Sequence, residues 1–284
     1  MPGRSSIREA LGSGTERLKV TEVGSTAQLD AQLLLMHSIG QSRAFLLANP
    51  EYVLREDEQK SYDQLIARRA LCEPVQYILG TAEFYGLPFF VDENVLIPRP
   101  ETEHLVEAVL QRLSKDDSLS IVDVGTGSGA IAIALASHLP QAHLTALDIS
   151  PGALGVARRN ASSNGVADRI RFLNSDLLAA VCQERFDVVV SNPPYIANEE
   201  RESLSRQVKD FEPASALFAG HSGFEFYDRL IPAAKEVLKP GGWLLMEIGH
   251  GQCEQLATLL QGWEDVSFIQ DLQGIPRVGC ARRA

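Results

Sequence analysis

The chain has 284 residues, of which 45% are hydrophobic and 22% charged, an ordinary composition for a globular protein with one large domain or two smaller ones. No apolar stretch reaches the ~18 to 20 residues that span a bilayer, and the first residues lack the apolar segment of a signal peptide. We therefore expect a cytoplasmic protein that has no membrane contact. The net charge is −11, which disfavours direct nucleic-acid binding because such binding draws on Lys and Arg to neutralise phosphates.

Cysteine and histidine usage excludes several further classes of site. The four cysteines are far apart in the chain and form no CxxC pair, so the sequence encodes neither a disulfide framework nor a zinc site. The histidines form no HExxH motif, and no GxSxG segment is present. We expect no metal and no hydrolytic triad.

The first ~75 residues have apolar positions at helical spacing, and Pro74 follows them. No cluster of catalytic residue types occurs here, so we expect residues 1–78 to form a small helical domain for substrate recognition. The predicted helices are marked by Ile7, Leu11 and Leu18; by Leu29, Leu33, Leu34, Leu35 and Ile39, ending at Gly40; by Phe45, Leu46 and Leu47; and, from Glu56 to about Cys72, by Tyr62, Leu65 and Ile66.

The pattern changes to β-branched and aromatic residues between Phe84 and Ile97, interrupted by glycine, proline and acidic residues. This pattern predicts that residues 79–98 form a β-hairpin linker between two domains. Pro100 suits the first turn of a following helix, where Glu101 and Glu103 would complement the positive end of the helix dipole.

Residues 99–284 alternate between strand and helix patterns, which predicts an α/β fold with a doubly wound, seven-stranded, mostly parallel sheet. We expect helices at 129–138, 152–164, 223–238 and 252–261. The predicted strands lie near 120–124, 143–148, 169–174, 186–191, 242–248, 265–270 and 277–282.

A glycine-rich turn follows the first of these strands. Gly125, Thr126, Gly127, Ser128 and Gly129 separate an apolar strand from an apolar helix, an arrangement that lets the backbone approach a ligand and offers it free helix N–H groups. The spacing also satisfies the GxGxxG/A dinucleotide fingerprint, because Ala130 stands at the last position. The turn therefore predicts a nucleotide-like pocket without specifying which nucleotide.

Acidic residues end the next two strands at the same edge of the predicted sheet. Asp148 can accept hydrogen bonds from both hydroxyls of a ribose, while Ser150 before Pro151 is the better candidate for capping the next helix. Asp176 can accept from an adenine amino group, with Leu177 packing on the ring. A loop cap is nearly as good an interpretation of Asp176.

The fourth strand ends in Asn192-Pro193-Pro194-Tyr195. Two prolines stop a buried strand, and an isolated Asn-Pro-Pro would be an ordinary turn signal. At the carboxyl end of a strand beside a nucleotide crevice, however, Asn192 and the Pro193 carbonyl can accept from a substrate NH₂ group, and Tyr195 can stack on it. We predict a site for a planar nitrogen substrate.

These motifs together resemble the S-adenosylmethionine-dependent class I methyltransferases of the N/D-PPY type. Further segments resemble the peptide chain release factor N5-glutamine methyltransferases, the PrmC/HemK family, over nearly the whole chain. The segments that support this narrower resemblance are Glu73–Gly80, Glu83–Gly86, Val95–Glu103 and Phe211–Pro213.

The resemblance implies methylation of the glutamine amide in the Gly-Gly-Gln motif of class I peptide chain release factors, which are then the expected partners. It also implies that S-adenosylmethionine is the cofactor, bound by Gly125 through Gly129, Asp148, Asp176, Leu177 and Asn192. Some relatives have an aromatic residue where this chain has Leu177. In this chain the expected contact of Leu177 with the adenine is apolar packing instead of aromatic stacking. Asn192, Pro193, Pro194 and Tyr195 would hold the glutamine.

Other functions remain open at this point. The nearest alternative is a glutamine methyltransferase that acts on a ribosomal protein. A DNA or RNA amino-group methyltransferase fits the −11 charge poorly. If the protein is a nucleotide-binding module without turnover, Asn192→Ala should cause no loss of function. The function of an NAD-linked oxidoreductase would not explain the Asn-Pro-Pro-Tyr turn.

Overall fold

The computed structural model describes residues 4–114 and 117–284. The chain forms two compact units, one of residues up to Gly80 together with Ser205–Phe211, the other of Thr81–Leu204 and Glu212 onward. The predicted division into 1–78, 79–98 and 99–284 remains a prediction. No pattern in the sequence indicated that Ser205–Phe211 would belong with the helical unit.

The described residues contain helices, strands and several short 3₁₀ helices, at Gly24–Thr26, Pro100–Thr102, Ala167–Arg169, Ala179–Val181 and Asn198–Ser203. None of the described helices is both long and apolar enough to cross a membrane. In chain order the other elements are α1 (Ile7–Lys19), α2 (Ala27–Ile39), α3 (Arg43–Ala48), α4 (Glu56–Ala70), α5 (Val75–Leu79), β1 (Thr81–Phe84), β2 (Leu87–Phe90), α6 (Glu103–Leu110), β3 (Ser120–Val124), α7 (Ala130–His138), β4 (His143–Asp148), α8 (Pro151–Ser163), β5 (Ile170–Asn174), β6 (Phe186–Ser191), β7 (Ile196–Ala197), α9 (Arg206–Lys209), α10 (Ala214–Leu217), β8 (Phe218–Gly220), α11 (Glu225–Val237), β9 (Leu238–Glu247), α12 (Cys253–Leu259), β10 (Glu264–Gln270) and β11 (Pro276–Arg282).

The helical unit has the predicted helices α1 to α4, and local capping explains two of their ends. Ser6 and Glu9 form a reciprocal capping box at the start of α1, which satisfies N–H groups that the helix itself leaves free. Gly40 ends α2 in the left-handed conformation. The apolar faces of these helices form one core. Helix α5 was not predicted, because its five residues are too few to show a helical period.

A seven-stranded sheet organises the second unit, in the order β10-β11-β9-β6-β3-β4-β5 among the described residues. β9, β6, β3, β4 and β5 run parallel, while β11 and β10 are antiparallel to their neighbours. Successive residues of the central strands enter opposite cores, one with α6 and α7 and the other with α11 and α12. The doubly wound, mostly parallel fold predicted from the sequence is confirmed.

The register of the sheet aligns the carboxyl ends of its central strands. Val124 on β3 pairs with Leu147 on β4 and with Ser191 on β6, and Ser191 pairs in turn with Met246 on β9. The residues that follow these positions therefore leave the sheet side by side. The glycine turn, Asp148, Asn192 and Glu247 all occupy this edge.

The hairpin is shorter than the sequence pattern predicted. β1 and β2 pair between Thr81 and Phe90 around a turn in which Tyr85 and Gly86 have φ of 52° and 71°, as in the type I′ turns that join paired strands. The prediction of strand pattern as far as Ile97 was wrong. Residues after Phe90 form a loop, with an Asx turn at Asp92–Asn94, and the β-branched Val95 and Ile97 are buried in that loop.

Candidate active site

A cavity of about 410 Å³ opens at the carboxyl edge of the parallel strands. This is where open α/β sheets place their ligands. Residues from separate strand ends line it, so the sheet register brings together side chains that are far apart in the chain. The lining includes Arg99, Thr102, Gly125–Ser128, Asp148–Ser150, Ser175–Leu177, Asn192 and Pro194.

The glycine turn has the backbone geometry that only glycine adopts without strain. Gly125, Gly127 and Gly129 have φ of 73°, 55° and 83°. A Cβ on Gly125 or Gly127 would meet open space, whereas one on Gly129 would lie 2.9 Å from the Cδ1 of Ile133. The first two glycines therefore leave room for a ligand, and the third allows the helix to pack closely. Helix α7 begins at this turn without a side-chain cap at Gly129, and within its first turn the Ala132 N–H bonds to the Asp123 carboxylate.

Hydrogen bonds to neighbouring strands hold the glycine turn in place. The N–H groups of Gly125 and Thr126 both donate to the Leu147 carbonyl, at 2.9 and 2.8 Å. The Thr126 hydroxyl donates to Oδ2 of the buried Asp123 at 2.6 Å. Burial raises the pKa of Asp123 to about 7 despite this bond. The turn is thus fixed before any ligand arrives.

Asp148 lies at the end of β4 beside the glycine turn. Its Oδ2 accepts from the Gly127 N–H at 2.9 Å and its Oδ1 from the Ser150 N–H at 2.8 Å, and burial raises its pKa. The Ile149 N–H also bonds to this carboxylate, which has about four acceptor sites in all, so it keeps the capacity to accept from a ligand hydroxyl. Ser150 caps α8 by accepting from the Ala153 N–H, as expected.

The next part of the cavity wall is apolar. Leu177 is buried, with a φ of 51°, an uncommon conformation for a non-glycine residue. Ile149 is 63% exposed, although it is a large apolar residue that lines the cavity. The Asp176 carboxylate accepts from Arg229 Nη2 at 2.6 Å. Ile149 and Arg229 were not predicted as site residues from the sequence. An apolar residue directly after a strand-end acid could have identified Ile149.

The Asn-Pro-Pro-Tyr turn begins where β6 ends, as predicted. Asn192 and Pro194 line the cavity, Pro193 is buried, and Tyr195 is half-buried. The Asn192 Nδ2 donates to the Thr102 Oγ1 at 3.0 Å. Its side-chain amide is therefore held by the segment before α6.

Glu247 lies beneath this turn and was not predicted as a site residue. Its Oε2 accepts from the Thr102 hydroxyl at 2.6 Å, and its Oε1 accepts a longer bond of 3.4 Å from the Tyr195 hydroxyl. The Tyr227 hydroxyl donates to the Glu247 backbone carbonyl at 2.8 Å. Burial raises the pKa of Glu247 to about 7. An acid at the end of the apolar strand β9 was the available signal in the sequence.

The backbone of Tyr195 is fixed by a second contact. The Gln252 Nε2 donates to the Tyr195 carbonyl at 3.0 Å, and the Gln252 Oε1 accepts from the Gly249 N–H at 2.9 Å. A Cβ on Gly249 would lie 2.9 Å from the Tyr195 ring, so glycine is needed there for close packing. The turn is therefore held at both of its ends.

An ion pair joins two segments that the family resemblance had singled out. Arg99 Nη2 donates to Glu212 Oε1 at 2.6 Å, and the Glu212 side chain is only 1% exposed. Burial raises the pKa of Glu212, and the Arg99 charge opposes that change. Arg99 lines the cavity, so the pair places a cation in its wall.

Comparisons with known proteins show what this chain is similar to. Residues 102–210 match a family model for the methyltransferase small domain, and residues 9–80 match a model for the PrmC N-terminal domain. The release factor glutamine methyltransferase of Koribacter versatilis (strain Ellin345) is 46% identical over 279 residues, which cover 98% of this chain and 99% of that protein. The release factor glutamine methyltransferase of Geobacter sulfurreducens is 42% identical and covers 89% of this chain and 88% of its own length.

A solved structure supports the fold independently. The hMettl16 catalytic domain, crystallised with the MAT2A 3′UTR hairpin 6, aligns with a TM-score of 0.57 over 76% of this chain and 81% of that chain. The two sequences are 21% identical. At that identity the likeness shows the shared fold alone.

Proposed function

Since the chain belongs to the family of release factor glutamine methyltransferases, we propose that it methylates the glutamine amide of the Gly-Gly-Gln motif in class I peptide chain release factors. The methyl donor is S-adenosylmethionine. We expect the reaction to take place in the cytoplasm and to modulate translation termination. The geometry around Asn192 is the observation that supports this function over binding alone.

The part of the cavity lined by the glycine turn, Asp148, Ile149 and Leu177, called the donor half, has the residues that S-adenosylmethionine requires. The open space above Gly125 and Gly127 would be filled by any side chain there, so these positions suit close contact with a ligand. Asp148 has spare lone pairs for ribose hydroxyls, and Ile149 and Leu177 offer apolar faces to the adenine. When bound, S-adenosylmethionine supplies an electrophilic methyl group on a sulfonium centre.

Asn192 lines the other part of the cavity, where we place the glutamine that accepts the methyl group. Its Nδ2 is engaged by Thr102, which leaves Oδ1 to accept from the NH₂ group of a substrate glutamine. We propose that the buried Pro193 contributes its carbonyl as a second acceptor, and that Pro194 and Tyr195 shape the turn around the amide plane. Two acceptors on one NH₂ group orient its lone pair away from them, toward the donor half of the cavity.

This orientation addresses the main chemical difficulty of the substrate. An amide nitrogen is a poor nucleophile because its lone pair is delocalised into the carbonyl group. Acceptors that fix the NH₂ group favour pyramidal nitrogen and stabilise the positive charge that develops on it. Positioning can therefore supply much of the rate increase without a general base, and the proton can leave to water afterwards.

We also infer that the helical unit binds the release factor. That unit exposes large apolar side chains at Val20, Leu47 and Leu71. Changing these three residues to serine is expected to raise the KM for the release factor and to leave the affinity for S-adenosylmethionine unchanged. A KM equal to that of the wild type would contradict this role.

The substrate is tested by incubating the protein with labelled S-adenosylmethionine and a release factor, beside a copy in which the tripeptide glutamine is replaced. Labelling of the first alone is expected, and equal labelling of both would end the glutamine assignment. A ribosomal-protein preparation and nucleic acid, assayed in parallel, test the two alternative enzyme functions.

The role of Asn192 is tested by Asn192→Ala. We expect turnover to fall by ~10² or more because an oriented polar contact at the reacting group is lost, while the donor affinity changes little. Unchanged turnover would refute this role of Asn192, whereas no turnover in either protein would favour a nucleotide-binding module.

A further inference from the structure

Three polar side chains form a continuous chain of hydrogen bonds beneath the Asn-Pro-Pro-Tyr turn. Asn192 Nδ2 lies 3.0 Å from Thr102 Oγ1, and Thr102 Oγ1 lies 2.6 Å from Glu247 Oε2. Thr102 and Glu247 are both buried, so water does not compete for these bonds. The three residues come from the segment before α6, the end of β6 and the end of β9.

The chemistry of these groups determines the direction of every bond in the chain. An ionised carboxylate can only accept, so the Thr102 hydroxyl must donate its single hydrogen to Glu247. Thr102 Oγ1 is then able only to accept from Asn192, and the amide NH₂ group is the only part of the Asn192 side chain that can donate to it. The Asn192 oxygen consequently faces away from Thr102.

A neutral Glu247 would remove this constraint. A proton on Oε2 would donate to Thr102, and the Thr102 hydrogen would be free to point at Asn192. The Asn192 amide could then turn over and accept with its oxygen, which would present NH₂ to the cavity. An NH₂ group there would repel the substrate NH₂ group instead of accepting from it.

We propose that Glu247 is a positioning residue which, as a carboxylate and through Thr102, fixes the Asn192 side chain so that its oxygen faces the acceptor nitrogen. This inference rests on the proposed function only in naming what the oxygen is for. The orientation itself is a property of the free protein and can be measured without catalysis.

The surroundings of Glu247 place its ionisation within an accessible pH range. Burial raises its pKa to about 7, hydrogen bonds from Thr102 and Tyr195 act against that rise, and the charges of Glu101 and Arg277 raise and lower it respectively. The Tyr195 hydroxyl also faces the same carboxylate, and burial raises its pKa, so it stays neutral across this range. Both forms of Glu247 can therefore be populated near neutral pH.

The direct test is the side-chain amide signal of Asn192 in ¹⁵N-labelled full-length protein, assigned by its loss in Asn192→Asp. In the wild type this signal should shift with a midpoint near the pKa of Glu247, about 7. The midpoint should vanish in Glu247→Gln, which has no titrating group, and in Thr102→Val, which lacks the relaying hydroxyl. A wild-type signal that does not change with pH, or one that still titrates in Thr102→Val, would overturn the proposal.

Kinetics provide the second readout, which a merely structural role would not reproduce. Thr102→Val should lower kcat by ~10² with little change in the KM for S-adenosylmethionine, since a small misplacement of a positioning group has that effect. Thr102→Ser, which keeps the hydroxyl, should recover most of the loss, and Glu247→Gln should flatten the acidic limb of the pH profile of kcat. Equal kcat values for the valine and serine variants would refute the relay. If the wild type methylates no release factor, the proposed function fails while the amide measurement still decides the proposal.

Discussion

Replacing Glu247 by glutamine should change how the stability of the protein depends on pH. Glu247 has its pKa raised from 4.5 to about 7 by burial, so the folded state binds a proton more tightly than the unfolded state does. Its contribution to the free energy of unfolding is full below pH 4.5 and is lost as pH rises through 7. Linkage over this interval gives a loss of ~2.5 kcal/mol between pH 5 and pH 8 in the wild type, and none from this position in Glu247→Gln.

The assay is urea unfolding at pH 5 and at pH 8, analysed by linear extrapolation. Trp243 and Trp263 both lie in the second unit, so their fluorescence follows the unfolding of the part that contains Glu247. The stability of Glu247→Gln relative to the wild type should increase by ~2.5 kcal/mol from pH 5 to pH 8. The matched control, replacement of the exposed Glu200 by glutamine, should change by less than ~0.5 kcal/mol. If the change in relative stability between pH 5 and pH 8 were as small for Glu247→Gln as for the control, Glu247 would not be a buried carboxylate with a raised pKa.

Other substitutions test the donor site and the helical unit. Gly127 has a φ of 55° and its Cβ would be directed into the cavity, so Gly127→Ala should cost ~1 to 2 kcal/mol in stability and weaken donor binding at least ~10-fold by calorimetry. The control Gly155→Ala, inside α8, should stabilise the protein by ~0.5 to 1 kcal/mol and leave donor binding unchanged. Asp148→Asn should weaken donor binding by ~10- to 150-fold, because hydrogen bonds to charged groups contribute ~1.5 to 3 kcal/mol; wild-type affinity would remove Asp148 from the site. Arg69→Met should destabilise the helical unit by ~3 to 5 kcal/mol in denaturant, because it leaves the Asp30 carboxylate, now 2.7 Å from Arg69, buried without its partner. A loss below ~1 kcal/mol would contradict that pairing.

Local signals were enough to predict the strand ends that line the cavity. Gly125 follows one short apolar strand and Asp148 ends the next, and parallel strands bring their carboxyl ends to one edge. The two prolines after Asn192 likewise predicted where β6 ends. These features depend on a few neighbouring residues, which is why the sequence pattern predicted them.

Contacts between distant segments could not be predicted in the same way. Thr102 meets Glu247 across 145 positions of the chain, and nothing local to either residue indicates the other as its partner. Residues Ser205–Phe211 belong to the helical unit because Gln207 accepts from the buried Arg69, a contact that no periodicity encodes. The hairpin was predicted too long because burial of Val95 and Ile97 in a loop gives the same apolar pattern as a strand.

In the proposed function, the methyl group is transferred to a glutamine side-chain nitrogen. This transfer is tested most directly by locating the methyl group on a release factor treated with this protein and S-adenosylmethionine, using peptide fragmentation by mass spectrometry. A single methyl group is expected on the side-chain amide of the Gly-Gly-Gln glutamine, and it should be absent when Asn192→Ala replaces the wild type. A methyl group on any other residue, or a release factor that remains unmodified while another substrate is methylated, would contradict the proposed function.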